Sequence, residues 1–416
     1  MTGGPGPRSR GGDPISRELA RLLEAAAVDT GGQLCTSIPE LANVEPDRFG
    51  IAVASVAGRR YRAGDADVAF TLQSVSKPFV FALAVADLGL DTVARHVGFE
   101  PSGEPFNAIS LEPGTGRPSN PMINAGAIVT SALVTGAHPD ERFERILSCL
   151  SAFAGRELDV DEAVFRSELA TGDRNRALSY LTRAAGVQDR DVHDATVVYF
   201  RQCAVRATAE DLATMAATLA AGGRNPLTGE RVVPGQVATA TMSVMAAAGM
   251  YDASGAWLLR VGLPAKSGVS GAIAATQPGQ FGIGVYAPRV DVHGHSIRGR
   301  RALALLSGEY GLHLLRQPGA ARTPVARSVR TGPNRYTIEL HGALDFIAVE
   351  QVVVDLRAAA AATVGPSPRL HLDVERVTGV HPAAQRLLAA ALTDLRADGQ
   401  HVTLSDASLL SDAAGR

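Results

Sequence analysis

Ser74 and Lys77, in the stretch "QSVSKP", stand three residues apart, and Lys77 is one of only two lysines in the chain. The other is Lys266; of 40 basic residues, 38 are arginine (40 − 2). A chain that supplies positive charge with arginine has a specific reason for lysine where it keeps one. A serine hydroxyl is a poor nucleophile until a base takes its proton. Lysine can be that base if burial or a nearby cation lowers its pKa, whereas arginine does not deprotonate in proteins. On a helix, positions i and i+3 share a face, so S-x-x-K brings hydroxyl and amine together. The motif also arises by chance, as an N-cap serine followed by a solvated lysine.

The second lysine opens Lys266-Ser267-Gly268. K-[ST]-G accompanies S-x-x-K in penicillin-recognising serine enzymes, on a strand edge beside the nucleophile. Both lysines therefore fall, in the right order and separation, on the two lysines of one catalytic constellation.

The elements around them must place these groups. "KPFVFALAVADLGL" is apolar nearly all round, which suits a buried helix with Ser74 and Lys77 at its entrance. "FGIAVASVAG" (49–58) and "RRYRAGDADVAF" (59–70) read as two strands around a turn at Gly58. A helical pattern starts near Ile15. Residues 140–220 are mostly helical by periodicity, with a polar break at "TGDRNR" (171–176). Strands follow at 268–275 and 280–287, then a helix near 301–315. "RQPGAARTPVARSVRTGPNR" is rich in Arg, Pro and Gly and reads as a linker. Beyond it a βαβαβ rhythm marks a small α/β domain. The division expected is a disordered tail over 1–17, a catalytic domain over 18–318, a linker over 319–330 and the small domain over 331–416.

Composition narrows the classes. A net charge of −2 calls for neither nucleic acid nor an anionic membrane as partner. No apolar run approaches the ~18 residues of a membrane span. Cys35, Cys149 and Cys203 are odd in number and lack metal spacing, which suits a reducing compartment. Without the apolar core of a signal peptide at the start, the cytoplasm is expected.

Longer stretches resemble the serine-dependent glutaminases, which share the β-lactamase-like fold. The matching segments are "IPELA" (38–42), "LQSVSKP" (72–78), "EPSGEPFN" (100–107), "NPMINAGAI" (120–128), "SELATGDRNRA" (167–177), "LAAGGRNPLTGER" (219–231), "GMYDASG" (249–255) and "GLPAKSGVSG" (262–271). The resemblance covers residues 18–315. It implies an α/β (α+β) catalytic domain, with an antiparallel sheet and a helical subdomain, hydrolysing L-glutamine to L-glutamate and ammonia without metal or organic cofactor. It also implies a homodimer or homotetramer. Carried over residue by residue, Ser74 is the nucleophile, Lys77 its helix partner and Tyr251 the phenol that shuttles protons. Lys266 is expected to act mainly by electrostatics, keeping Lys77 or Tyr251 partly deprotonated. Substrate contacts fall on Asn124, Glu168, Asn175, Tyr199, Tyr251 and the backbone of Val269, and Gln73 lines the same pocket. The N–H groups of Ser74 and Val269 are expected to stabilise the oxyanion.

One position departs from the pattern. The family usually has a tyrosine before "IPEL", and this chain has Ser37. A hydrogen-bond partner near the nucleophile is therefore expected to be missing. Two rivals remain: another hydrolase of the β-lactamase fold, and a non-catalytic glutamine sensor.

Other motifs carry less. His293 and His295 form a lone H-x-H with no third ligand evident. "GIGVYA" (282–287) matches G-x-G-x-x-A, but Pro288 stands where a Rossmann helix should run, so it reads as a strand with glycines. "GLPAKSG" lacks the glycines of a Walker A loop. Residues 331–416 resemble the STAS (anti-sigma-factor-antagonist-like) domain, on "YTIELHGALDFIAVEQV", "LHLDVERVTGVHPAAQRLL" and "HVTLSDA". In signalling members a phosphorylatable serine starts the second helix. Here the loop reads Gly379-Val380-His381-Pro382-Ala383-Ala384, without a hydroxyl, so a regulatory or oligomerising role is expected.

Overall fold

Continuous apolar runs and turn glycines build the central sheet. In chain order the strands are β1 (Gly50–Ser55), β2 (Arg60–Gly64), β3 (Phe70–Thr71), β4 (Arg206–Ala207), β5 (Ala265–Ser267), β6 (Ala272–Gln277) and β7 (Phe281–Tyr286). Five of them form an antiparallel sheet in the order β2-β1-β7-β6-β5, and β3 pairs with β4. Gly58, at φ 82°, carries the turn between β1 and β2. β1 and β7 are buried along their whole length. A computed structural model describes residues 13–316, 325–332, 334–362 and 369–406.

The glycines of "GIGVYA" have a packing reason. The helix Ala209–Ala220 is capped reciprocally by Thr208 and Asp211. It lies so close on β7 that a Cβ at Gly282 or Gly284 would strike its backbone at Ala217 or Ala209.

The helical half contains Lys77–Leu88, Asn124–Leu133, Pro139–Ala154, Glu162–Thr171, Asp173–Ala184 and Val192–Cys203. The expected break at 171–176 shrinks to one residue, Gly172, between two of these helices. A Cβ there would meet the Phe200 ring, which is why the chain turns on a glycine. One core holds Phe79, Phe81 and Phe153 with the sheet residues Ala52 and Ala274; a second holds Ile38, Ile128, Tyr199 and Phe200. The serine and lysine of interest lie on the turn that enters the first core and faces the second.

The C-terminal strands are β8 (Val325–Gly332), β9 (Arg335–Leu344), β10 (Arg369–Val380) and β11 (His401–Leu404), in the order β11-β10-β9-β8. β9, β10 and β11 run parallel, and β8 is antiparallel to β9. The helices Phe346–Ala362 and Pro382–Ala397 bury Val349, Leu356, Leu388 and Leu392, and the sheet buries Ile338 and Leu372. The element order read from the sequence is present.

Two expected boundaries shift. Residues 325–330, read as linker, belong to β8. Its pairing comes from the backbone ladder to β9, and its arginines sit on an exposed edge where charge is an ordinary guard. Residues 319–324 of the expected linker, and 1–12 of the expected tail, lie outside the described residues. The helix Pro14–Ala27 takes up the rest of that tail. The described residues before Leu22 group with those from Leu306 onward, and Leu22–Leu305 forms the other unit. Ion pairs explain the first grouping: Arg21 pairs with Glu18 and Glu309, Arg386 reaches both, and Arg17 pairs with Asp394. The expected boundary at 318 falls inside that unit.

Candidate active site

Ser74 lies on a 3-10 turn, Gln73–Ser76, and the α-helix proper begins at Lys77 with Pro78 in its first turn. Gln73 takes φ 48°, unusual for a residue with a side chain and costing about 1–3 kcal/mol. A buried chain of hydrogen bonds holds the turn. The Ser76 hydroxyl donates to Gln73 O (2.7 Å), Gln202 Nε2 to Ser76 Oγ (3.0 Å), and the Ser131 hydroxyl to Gln202 Oε1 (2.7 Å).

Lys77 is 1% exposed. Its Nζ donates to Asn124 Oδ1 at 2.6 Å and to Met122 O at 3.3 Å. Burial lowers its pKa to about 7, against smaller opposing effects from Cys203 and Glu168. A neutral amine has two N–H groups and one lone pair. The two acceptors match the N–H groups and leave the lone pair available. Asn124 is itself fixed: its Nδ2 donates to Asn175 Oδ1 (2.9 Å), and the Tyr199 hydroxyl donates to its Oδ1 (3.3 Å).

Lys266 and Tyr251 come from the other side. Lys266 lies on β5, fully buried, and its Nζ donates to Ser267 O at 2.6 Å. The same Nζ stands 3.8 Å from the Tyr251 ring centroid. Burial, with the charge of Lys77, holds Lys266 well below the usual lysine range. Tyr251 also has a positive φ, 53°. Its hydroxyl neighbours Ser74 and donates to Ser267 O at 3.4 Å. Burial raises its pKa, so the phenol keeps its proton. Gly268 lets this strand end approach the serine turn, since a Cβ there would be 3.0 Å from Val75 Cγ2.

A cavity of about 180 Å³ opens on Ser74. Gln73, Asn124, Glu168, Asn175, Tyr199 and Val269 line it, so all the expected substrate contacts except Tyr251 border one space. Lys77, Tyr251 and Lys266 stand behind that lining. Glu168 is buried, its Oε2 has no hydrogen-bond partner, and Gln73 lies beside the carboxylate. Burial raises its pKa to about 8 against the attraction of Lys77. An unpaired buried carboxylate at a cavity wall suits a small cation. Ser37 is at the mouth, its hydroxyl 3.0 Å from Cys35 Sγ. A larger cavity, about 400 Å³, is bordered by Trp257 and Arg300 and contains none of the groups named above.

Several participants carried no sequence signal. Met122 contributes a carbonyl, and Ser76, Gln202 and Ser131 act only through the chain that holds Gln73. Among the described residues, no three His, Cys, Asp or Glu side chains are grouped to hold a metal. No described helix is long and apolar enough to cross a membrane.

The glutaminase family profile matches residues 32–315. The chain is 41% identical over 398 residues to the glutaminase of Corynebacterium glutamicum, covering 94% of each. It is 54% identical over 296 residues to that of Clavibacter michiganensis, covering 71% of this chain and 91% of the relative. Among solved structures, Mglu is 42% identical and superposes with a TM-score of 0.72 over 94% of this chain and 98% of its own. A structure of Mglu in its L-glutamate binding form is 40% identical, with the same TM-score of 0.72. With a buried serine–lysine pair facing a cavity that has an unpaired carboxylate in its wall, and with these relatives along nearly its whole length, the chain belongs to the glutaminase family.

Proposed function

We propose that this glutaminase, an amidohydrolase of L-glutamine, works through an ester on Ser74. The observation that carries the reading is Lys77: a buried amine with a pKa near 7, its two N–H groups taken by Asn124 and Met122, one helical turn from a serine at a cavity. Neutral Lys77 accepts the Ser74 proton, relayed by the Tyr251 hydroxyl. Ser74 Oγ bonds to the side-chain amide carbon, and the carbonyl electron pair moves onto oxygen. The Val269 N–H, which has no intramolecular partner among the described residues, is available to that oxyanion. Collapse breaks the C–N bond, the nitrogen takes the proton back along the same relay, and ammonia leaves. Water then adds to the ester, gives its proton to the relay, and Ser74 departs with it, leaving L-glutamate.

Substrate recognition follows from charge. Glu168 faces the α-ammonium, and the amides of Asn124 and Asn175 with the Tyr199 phenol suit the α-carboxylate. Tyr251 is a donor here, because burial strengthens its hold on the proton. Lys266, whose charged form is disfavoured by burial and by Lys77, stands against the Tyr251 ring, so contact with the phenol rather than the expected electrostatic role is its part here.

For residues 331–416 we keep the STAS-like reading and a regulatory or oligomerising role. The βαβαβ order of β9 to β11 supports it, and the start of Pro382–Ala397 has no hydroxyl to phosphorylate. Homodimer or homotetramer formation and a cytoplasmic site are proposed on the resemblance and the free cysteines. The decisive experiment measures ammonia from glutamine, with asparagine and nitrocefin as controls, for wild type and Ser74→Ala. Ser74→Ala should lose at least ~10⁴-fold in kcat yet still bind glutamine; retention within tenfold would overturn the ester.

A further inference from the structure

His295 belongs to an H-x-H pair that suggested a metal ligand, yet it is used quite differently. The ring is fully buried, 44 residues from Tyr251 in sequence (295 − 251), and stacks on it with centroids 5.5 Å apart and planes 17° from parallel. Its Nδ1 lies 2.7 Å from Ser267 Oγ. Ser267 is the junction of the relay's far side: its carbonyl accepts from both Lys266 Nζ and the Tyr251 hydroxyl. The K-S-G serine therefore turns its hydroxyl to His295, away from the cavity.

The turn that carries the ring is itself tied down. Asp291 Oδ1 accepts from the N–H groups of His293 and His295, and Asp291 pairs with Arg300. His293 stacks on His295 at 6.3 Å and bonds Asp252 through Nδ1 at 3.0 Å. His295 Nε2 is buried without a partner. The Nδ1–Oγ bond closes in either tautomer, with Nδ1–H donating to Ser267 Oγ or the Ser267 hydroxyl donating to Nδ1.

We infer that His295 is a positioning residue: by holding Ser267 and stacking on Tyr251, it fixes the phenol and the Lys266 amine as one unit against Ser74. The proposal rests on the relay described above and extends it to a residue that does not touch substrate. The groups around the ring are consistent with a neutral imidazole. Lys266, Arg300 and His293 disfavour a charge on it and only Asp291 favours one, while burial lowers its pKa to about 4. The bond to Ser267 therefore persists unchanged across neutral pH.

The arrangement predicts a loss in turnover with little change in substrate affinity. Steady-state kinetics on the full chain would compare wild type, His295→Leu, His295→Asn, Ser267→Ala and the Ser267→Ala/His295→Leu double variant, with melting curves as the folding control. His295→Leu should lower kcat about tenfold with KM within about twofold, the scale of a small displacement of reacting groups. His295→Asn, whose amide can donate to or accept from Ser267 Oγ, should recover most of it. Ser267→Ala should resemble His295→Leu, and the double variant should be no worse than either single. A folded His295→Leu enzyme with unchanged kcat, a loss confined to KM, no recovery by Asn, or multiplicative losses in the double variant would each overturn the inference. Should His295→Leu not fold, Ser267→Ala alone decides: unchanged kcat overturns it, and a drop with KM preserved supports it. Ser74→Ala tests the ester separately, so a failure of that reading is distinguishable from a failure of this one.

Discussion

The helix entrance around Lys77 and the strand end around Lys266 both place a buried lysine against the Tyr251 ring, Nζ at 5.8 Å and 3.8 Å respectively. Their surroundings differ in polarity. Lys77 has a side-chain amide, a carbonyl and, across the cavity, the Glu168 carboxylate, and its pKa stops near 7. Lys266 has one carbonyl and an aromatic face, with no carboxylate to favour its charge, and it is driven well below the ordinary range. Equal burial thus yields one amine that titrates near neutrality and one whose pKa lies well below the usual lysine range. The difference lies in the neighbouring charges, because desolvation pushes both the same way: Cys203 and Glu168 favour the charge on Lys77, whereas Lys77 disfavours one on Lys266.

The sharpest way to break this comparison is to remove each amine in turn. Lys77→Met should cost about 10³–10⁴-fold in kcat, the loss of a general base, whereas Lys266→Met should cost about 10²-fold. Equal losses would mean that the two share one role. Stability should move the other way. The folded pKa of Lys77 is depressed from 10.5 to about 7, so below pH 7 folding carries its full penalty. The penalty fades as pH rises from 7 towards 10.5. Lys77→Met should therefore raise stability by ~5 kcal/mol near pH 6, from ~1.4 kcal/mol per pKa unit over the interval from 10.5 to about 7, and by much less near pH 10. Denaturant titration at the two pH values measures this.

Glu168 tests the polar side of the same comparison. Burial raises its carboxyl to about 8, so glutamine must bind the minority charged form at pH 6. KM should fall as pH rises from 6 to 8, and Glu168→Gln should raise KM about 100-fold and flatten that dependence, the scale of losing a charged hydrogen bond. A KM that is independent of pH in wild type would remove Glu168 from ammonium binding. The smallest effect belongs to Ser37→Tyr, at the cavity mouth. If Ser37 marks a missing helper, the tyrosine should raise kcat up to about tenfold, in proportion to one added hydrogen bond. A large drop would show that the open mouth suits this chain.

What the sequence disclosed was local. Lysine scarcity and two short spacings singled out Ser74, Lys77 and Lys266, and long resembling segments supplied the cavity wall. The alternation in "GIGVYA" was readable as a strand, although the helix pressed on its glycines was not. The positive φ of Gln73 and Tyr251 and the Met122 carbonyl depend on segments distant in sequence, which no spacing encodes. His295 was legible only as half of a metal pair, because stacking across 44 residues has no period. β8 was hidden for a related reason: its order comes from ladder bonds to β9, while its arginines and glycine look like those of a linker.

Both lysines are buried, so the exterior of this protein offers no lysine amine at all. Reagents that acylate amines, and surfaces that immobilise proteins through them, find no side chain to attach to on the folded molecule. Lysine-directed tagging would instead report unfolding, since the two reactive side chains become accessible only when the catalytic core opens. A chain so poor in lysine thus presents an arginine-only cationic surface around two buried amines.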